Sequence, residues 1–155
     1  MAQTCAHDTP PKQSKRAVAA ALRRAEARSL EAGARFTPLR KRVFELLVEA
    51  GGPVKAYDLI ARLKAGETSA PPTVYRALDA LVAVGLAHRV ASLNAYVACH
   101  HEGDQHAAWL MICDCCGNVE EIAQPSPEAL KSLRQQSKFQ VQALEAHGRC
   151  ERCSD

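Results

Sequence analysis

The sequence predicts an α/β (α+β) chain whose helical N-terminal part closes with a β-hairpin and whose short C-terminal part carries two cysteine pairs. Helical periodicity ends at Gly85, and strand-forming residues follow it. The 155 residues are 47% hydrophobic and 24% charged, which is ordinary for a globular chain that buries a core. No apolar run approaches the ~20 residues of a membrane-spanning helix. We therefore expect one or two small domains and no membrane span.

The compartment can also be inferred from the sequence. The N-terminus interrupts its alanines with basic residues and lacks the apolar core of a secretion signal. We expect a cytoplasmic protein, in which thiols stay reduced and paired cysteines favour metal over disulfide bonds. The odd number of cysteines, seven, also argues against a complete disulfide framework. Residues 1–15 are expected to form a disordered tail.

Four helices are predicted in the N-terminal part. Residues 17–34 are rich in Ala, Leu, Arg and Glu, which favour a helix. Thr37 and Pro38 are a typical N-cap and first helical residue, and the helix that they begin runs to a Gly-Gly pair. Residues 56–64 and 71–85 place apolar side chains at helical spacing.

A hairpin is predicted after the fourth helix, with strands over residues 86–90 and 95–99. Helices followed by a two-stranded hairpin are typical of a winged helix-turn-helix. In related helix-turn-helix domains the recognition helix enters the major groove of DNA and contacts base edges through its N-terminal residues. We therefore predict a winged-helix DNA-binding domain over residues 1–98.

The net charge of +3 is unevenly distributed along the chain. Residues 1–98 contain 15 Lys and Arg against 8 Asp and Glu, a net charge of +7. Residues 99–155 contain 5 against 9, a net charge of −4. A basic N-terminal part suits a polyanionic partner, because neutralising phosphates releases counterions. Charge alone leaves open the alternative of a merely solvated basic surface.

Arg76 lies near the start of the fourth helix, where side chains contact base edges, and Tyr75 beside it can contact a base methyl or a phosphate. The alternative for Arg76 is a surface ion pair with Asp79, three residues further along the helix. The winged-helix context favours the DNA contact.

Two Cys-x-x-Cys pairs lie in the C-terminal part. Each two-residue gap lets both sulfurs of a pair face one ion, and four thiolates close a tetrahedral Zn²⁺ site of the structural kind. A redox pair is the alternative, but two such pairs, with Gly117 after the first, favour zinc knuckles. For His147, near the second pair, we expect a hydrogen bond rather than metal ligation. The four cysteines are Cys113, Cys116, Cys150 and Cys153.

The hairpin also makes a geometric prediction. If its turn is centred on residues 93–94, His88 and Cys99 are direct cross-strand neighbours with Cβ atoms ~5 Å apart. An imidazole and a thiolate at that distance can ligate one ion, although a buried His and a buried Cys are more often core residues. His106 and the acidic pair at 120–121 favour the metal interpretation.

Six segments carry a resemblance to a known family. They are residues 37–40 (TPLR), 56–59 (AYDL), 71–78 (PPTVYRAL), 94–100 (NAYVACH), 112–119 (ICDCCGNV) and 145–150 (EAHGRC). From about residue 20 to Cys153 the chain resembles the ferric uptake regulator superfamily, and within it the zinc uptake regulator branch. The resemblance implies a homodimer with an N-terminal winged-helix domain and a C-terminal α/β dimerisation domain. We place the hinge at residues 99–107 and the dimerisation domain at 108–155.

The resemblance further implies that Zn²⁺ loading switches on binding to inverted-repeat operator DNA and represses zinc-uptake genes, and it leaves open whether other genes are activated. It implies two Zn²⁺ per chain, one structural and held by the four paired cysteines. The regulatory ion falls on His88, Cys99, His106 and Glu121. The candidate DNA contacts are Arg40, Tyr57, Thr73, Tyr75 and Arg76.

Two departures from the family pattern leave alternatives open. Cys115 stands where a non-ligand is usual, so Cys113-x-Cys115 is a rival chelate. Residues 100–105 lack a clear match to the additional metal site of some relatives, so a third site around His100 and His101 stays open.

The chemistry of the regulatory ligands separates the functional alternatives. Soft sulfur with nitrogen favours Zn²⁺ over Fe²⁺ or Mn²⁺, so Cys99 favours a zinc sensor over an iron, nickel or peroxide sensor of the same superfamily. Four protein ligands at each site leave no evident place for a catalytic water. This argues against a zinc hydrolase or thiol oxidoreductase, and we expect no enzymatic activity.

Overall fold

The computed structural model describes residues 11–63, 70–101, 107–122, 127–138, 141 and 143–154. The chain divides into two compact units: an N-terminal unit, described from residue 11 to Cys99, and a C-terminal unit, described from His100 to residue 154. Residues 1–10 of the expected tail and 102–106 of the expected hinge lie outside the described residues. No helix in the described ranges has the length and apolar character to cross a membrane.

The first two helices begin at side-chain N-caps. Helix α1 spans Lys15–Glu31 and α2 spans Pro38–Ala50. The side chains of Ser14 and Thr37 each accept a hydrogen bond from the backbone N–H three residues on, at 3.2 and 3.3 Å. Helix α2 ends at Gly51, whose φ of +64° is left-handed and suits glycine. The expected tail therefore extends one residue too far, because Ser14 already caps a helix that begins at Lys15.

The next two helices complete the core of the N-terminal unit. Helix α3 spans Ala56–Leu63, and α4 spans Pro71–Ala83 with proline in its first turn. Their apolar faces pack together with α2 and the inner face of α1. The largest fully buried side chains of this unit are Val43, Leu47, Leu59, Val74, Leu78, Leu81 and Val90.

A three-stranded antiparallel sheet follows the helices. Strand β1 (Val54–Lys55) joins the hairpin of β2 (Ala87–Val90) and β3 (Ala95–Ala98) in the order β1-β3-β2. The sequence did not predict β1, which is only two residues long. The helices and the hairpin form the expected winged-helix arrangement, in which α4 is the last helix before the wing.

The C-terminal unit contains a second three-stranded sheet. Strands β4 (Ala108–Cys113), β5 (Val119–Glu121) and β6 (Ala143–Gly148) have the order β5-β4-β6, and α5 (Pro127–Gln136) lies between β5 and β6 in the chain. Strand β4 pairs antiparallel with β5 and parallel with β6. A parallel pair needs a long crossover, which the segment containing α5 supplies. Together the two units confirm the predicted α+β fold class.

Candidate metal centres and nucleic-acid face

Four cysteine sulfurs converge in the C-terminal unit. Strand β4 ends at Cys113, and its parallel partner β6 ends at Gly148, directly opposite Cys113 in the register. This pairing brings the two Cys-x-x-Cys segments to the same end of the sheet. Their sulfurs all lie within 4.8 Å of one another. The members of this group are Cys113, Cys116, Cys150 and Cys153.

The distances within the group fit one tetrahedral zinc ion. Zn–S bonds of about 2.3 Å in a tetrahedron separate the sulfurs by about 3.8 Å. The Sγ atoms of Cys116 and Cys150, one from each pair, are 3.8 Å apart. Four sulfurs leave no coordination position for substrate or water, so the donor set suits a structural ion.

Backbone hydrogen bonds made by the protein itself fix the conformation of the first cysteine pair. The N–H of Gly117 donates to the carbonyl of Cys113 at 2.8 Å, and the φ of Gly117, +70°, is one that glycine favours. The N–H of Cys150 donates to the Cys113 sulfur at 3.3 Å, so the second pair also contacts the first through its backbone. The N–H of Cys153 closes the second pair by donating to the carbonyl of Cys150 at 2.8 Å.

The thiols of this group differ in pKa, because backbone hydrogen bonds and burial affect them differently. Backbone N–H groups of Cys116 and Cys150 lower the pKa of the Cys113 thiol to about 6, because they stabilise its thiolate. Burial raises the pKa of Cys153 to about 12, and the neighbouring thiols add to the rise. Because zinc is bound by thiolates, a bound Zn²⁺ would displace the proton that burial favours at Cys153.

Cys115 does not belong to this group. It is disulfide-bonded, which was not expected from the sequence, and it is not one of the described free thiols. The rival chelate Cys113-x-Cys115 therefore finds no support in the structure.

His88 and Cys99 lie on the same face of the hairpin, but they are not directly opposite each other. His88 pairs with Val97, and the N–H of Cys99 donates to the carbonyl of Leu86 at 2.9 Å. The predicted register is wrong by two residues. The two side chains are diagonal neighbours, a separation that long side chains can still bridge.

The turn of the hairpin explains the different register. A 3₁₀ turn over Ala91–Leu93 and a left-handed Asn94, with φ of +48°, form a four-residue connection between Val90 and Ala95. The turn is therefore centred one residue earlier than predicted. A ring nitrogen of His88 and the Cys99 sulfur nevertheless lie within 4.8 Å of each other, and His88 is only 7% exposed.

Glu121 is the last residue of β5, in the C-terminal unit. Its carboxylate accepts a hydrogen bond from the backbone N–H of His100 at 3.3 Å, and a ring nitrogen of His101 lies 3.3 Å from its carbonyl oxygen. His106, the remaining predicted ligand, lies outside the described residues. Among the described residues, neither His100 nor His101 belongs to a group of three metal-binding side chains.

The N-terminal turns of α4 present the predicted DNA contacts to solvent. Thr73, Tyr75 and Arg76 are exposed, whereas Val74 between them is fully buried. Tyr75 is 46% exposed. Arg76 is exposed, and within the described part of the chain it forms no ion pair with Asp79.

Two further predicted DNA contacts lie outside α4. Tyr57, in the first turn of α3, is 78% exposed. Arg40, in the first turn of α2, is half-buried and donates to the backbone carbonyl of Arg35. Tyr57 is thus free to contact a partner, while Arg40 also stabilises the segment between α1 and α2.

Comparison with known proteins agrees with this geometry. Residues 31–147 match the sequence profile of the family described as the ferric uptake regulator family. The zinc uptake regulation proteins of Escherichia coli (strain K12) and Shigella flexneri are each 39% identical over 137 residues, which cover 85% of this chain and 80% of each relative.

Two solved structures are similar over most of their length. A crystal structure of holo XcZur has a TM-score of 0.77 at 42% identity, covering 86% of this chain and 96% of that chain. A zinc uptake regulator complexed with zinc and DNA has a TM-score of 0.76 at 35% identity, covering 90% of this chain and 95% of that chain.

Proposed function

Because this chain belongs to the ferric uptake regulator family, we propose that its Zn²⁺-loaded homodimer binds inverted-repeat operator DNA and represses zinc-uptake genes. The broader function, a zinc-responsive DNA-binding transcriptional regulator, follows from the zinc uptake regulators that it resembles over most of its length. The observation that carries the choice of metal is the position of Cys99 beside His88 on one face of the hairpin.

We assign two Zn²⁺ ions to each chain. The first is structural and bound by the four paired cysteines, whose 3.8 Å sulfur separation suits tetrahedral coordination. The second is regulatory and bound by His88, Cys99, His106 and Glu121. A thiolate, two imidazoles and a carboxylate are a donor set that suits Zn²⁺ and disfavours a hard-ligand Fe²⁺ or Mn²⁺ site.

The regulatory ion would act through the residues that it connects. His88 belongs to β2 of the wing and Cys99 directly follows β3, whereas Glu121 belongs to β5 of the C-terminal unit. An ion bound by both would restrict the position of the winged-helix domain on the dimer. Shifting a two-state balance from 1:99 to 99:1 takes ~5.5 kcal/mol of differential binding. Apparent zinc affinities of ~10–16 kcal/mol in small protein sites are large enough for such a shift.

The DNA contacts would follow from the exposed start of α4. Arg76 has the geometry to donate two hydrogen bonds to a guanine in the major groove, and Tyr75 and Thr73 lie beside it. Tyr57 would contact the same groove or its backbone, and Arg40 a phosphate. A homodimer presents two such helices, whose spacing sets the spacing of the operator half-sites.

The same proposal includes the limits of the two domains, a cytoplasmic location and the absence of enzymatic activity. Residues 1–98 would bind DNA, 108–155 would dimerise, and 99–107 would join them. A regulator of operators acts where the DNA is, hence in the cytoplasm. The closed donor sets give neither ion a catalytic role. An iron-, nickel- or peroxide-sensing regulator is the alternative, and Cys99 argues against it.

Operator binding measured against buffered free metal tests this function. We expect half-maximal binding at far lower free Zn²⁺ than free Fe²⁺, Mn²⁺ or Ni²⁺, with two Zn²⁺ per chain in the DNA-bound form. Elemental analysis before and after mild chelation should show one ion retained and one removed. Binding that responds to Fe²⁺ or Ni²⁺ at lower concentration than to Zn²⁺ would contradict the proposal.

A further inference from the structure

Arg28, near the end of α1, contacts the chain just beyond the end of α4. A Cβ atom added to Gly85 would lie 2.7 Å from Nη2 of Arg28 and 3.4 Å from its Cζ. The guanidinium therefore rests directly against the Gly85 backbone, two residues after α4 ends at Ala83. Two features of this position favour glycine: the closeness of the Arg28 guanidinium, and a φ of +69°, which is left-handed.

The end of α4 provides a favourable place for this cation. The carbonyl dipoles of a helix give its C-terminus a partial negative charge, which arginine can neutralise or hydrogen-bond. Helix α4 has no basic residue in its own last turn. The helix is closed by two backbone hydrogen bonds, in which the N–H groups of Gly85 and Leu86 donate to carbonyls of α4 at 3.0 and 2.9 Å. Arg28 thus supplies from α1 the positive charge that α4 lacks.

Helix α1 is itself anchored on both sides of Arg28. Ala25 and Ser29 are 0% and 2% exposed, and both belong to the face of α1 that is buried in the N-terminal unit. The backbone that carries Arg28 is therefore fixed by packing. The α1 helix supports one end of α4, and the residues predicted to contact DNA lie at the other end.

We propose that Arg28 is a positioning residue for DNA recognition, holding the C-terminal end of α4 so that Arg76 is presented at a fixed angle. The inference rests on the proposed DNA-binding function. Thirteen helical residues span about 20 Å, so a tilt of about 5° at one end moves the other by about 1.7 Å. Such a displacement exceeds the tolerance of a hydrogen bond to a base edge.

Replacing Arg28 with alanine tests the positioning role, provided that the effect is separated from the general effect of removing one positive charge. The matched control is Arg23→Ala, which removes an exposed arginine from the same helix. The probes are a duplex that the Zn²⁺-loaded wild-type protein selects from a randomised pool, and a random-sequence duplex of equal length. We expect Arg28→Ala to weaken binding to the selected duplex about tenfold, because a dimer contains two such helix ends. Binding to the random duplex should fall only as far as with Arg23→Ala, and Arg28→Lys should recover part of the loss.

Two glycine variants in the wild-type background, Gly85→Ala and Gly33→Ala, test the contact without depending on the folding of Arg28→Ala. Gly33 also has a left-handed φ, +65°, but a Cβ there meets no atom within 4 Å. Gly85→Ala should therefore weaken binding to the selected duplex more than Gly33→Ala. In the Arg28→Ala background the two glycine changes should become equivalent.

The outcomes separate this inference from the proposed function. A wild-type protein that selects no duplex in the presence of Zn²⁺ would overturn both. If the wild type selects a duplex but Arg28→Ala and Arg23→Ala bind it equally, Arg28 has no positioning role. An equal effect of Gly85→Ala with and without the Arg28 side chain would also refute the contact.

Discussion

The Nδ1 atom of His147 lies 2.9 Å from Oδ1 of Asp114, which joins the two cysteine pairs by a side-chain contact. The backbone N–H of Asp114 also donates to the carbonyl of Gly148 at 2.8 Å. Asp114 follows Cys113, and Gly148 precedes Cys150 by two residues. The two segments that carry the thiols are therefore held together by the protein itself. The expected hydrogen bond of His147 is found, and Asp114 is its partner.

We predict that His147→Ala speeds the release of the structural zinc about two- to tenfold, as expected for the loss of one solvent-accessible hydrogen bond. Transfer of zinc to a chromophoric chelator measures the rate. Arg149→Ala, which removes an exposed side chain next to Cys150, is the matched control and should leave the rate unchanged. Equal rates for the wild type and His147→Ala would show that the cysteines alone hold the two segments.

Loss of a structural ligand should be far more damaging. Cys113→Ser or Cys150→Ser should lower the zinc content by one ion per chain and unfold or monomerise the C-terminal domain. A domain of about fifty residues buries too little core to be stable without its metal and a partner subunit. Elemental analysis and sedimentation measure the two effects.

Cys115→Ser is the control for that experiment. Cys115 lies between Cys113 and Cys116 in the sequence, but its sulfur does not belong to the group of four. In a reducing buffer the variant should keep wild-type zinc content and remain a dimer. If it proved as damaging as Cys113→Ser, the assignment of ligands in the first pair would be wrong.

Arg76→Ala should weaken the free energy of binding to operator DNA by ~1–3 kcal/mol, as expected for the loss of a bidentate hydrogen bond to a base. Zinc content and dimerisation should not change. Asp79→Ala should not weaken binding, because Arg76 forms no ion pair with Asp79 among the described residues. Titrations with operator and random duplexes measure both. An equal loss on the two duplexes would make Arg76 a phosphate contact.

Local signals in the sequence located most of the N-terminal fold. Thr37 and Pro38 mark the start of α2 because N-capping is decided by neighbouring residues. The start of α4 at Pro71 was predictable for the same reason. Strand β1 was not, since two residues form a strand only because β3 lies beside them.

The hairpin register shows a second limit of the sequence. The alternation of residues identified both strands, but the register depends on the turn, and the 3₁₀ conformation of Ala91–Leu93 gave no clear signal. His88 and Cys99 stay on one face because the error was an even number of residues, which preserves the side of the sheet that each side chain occupies.

The sequence identified the four cysteines that lie together in the C-terminal unit, but it did not predict the topology of that unit. Cysteine spacing identifies four sulfurs, because two residues between ligands suit one ion. The parallel pairing of β4 with β6 joins residues far apart in the chain, and no local pattern specifies it. The contact of Arg28 with Gly85 is likewise long-range and is visible only in the structure.

The central claim, that zinc controls DNA binding through Cys99, has a direct test in the Cys99→Ser variant. Serine is close in size but lacks the soft thiolate, so the regulatory site should lose its zinc affinity. The structural zinc, bound by four other cysteines, should remain, and the protein should stay folded and dimeric. His88→Ala and Glu121→Ala should weaken the zinc response in the same direction, Glu121→Ala less if water replaces its oxygen.

The decisive measurement is the binding of wild-type and Cys99→Ser proteins to one operator duplex as buffered free Zn²⁺ is raised. We expect the wild type to bind with a sharp dependence on free Zn²⁺. Cys99→Ser should stay at the metal-free level over the same range, with one zinc per chain still present. A wild-type response from Cys99→Ser would contradict the account, because Cys99 would then be a core residue and the zinc sensor would lie elsewhere in the chain.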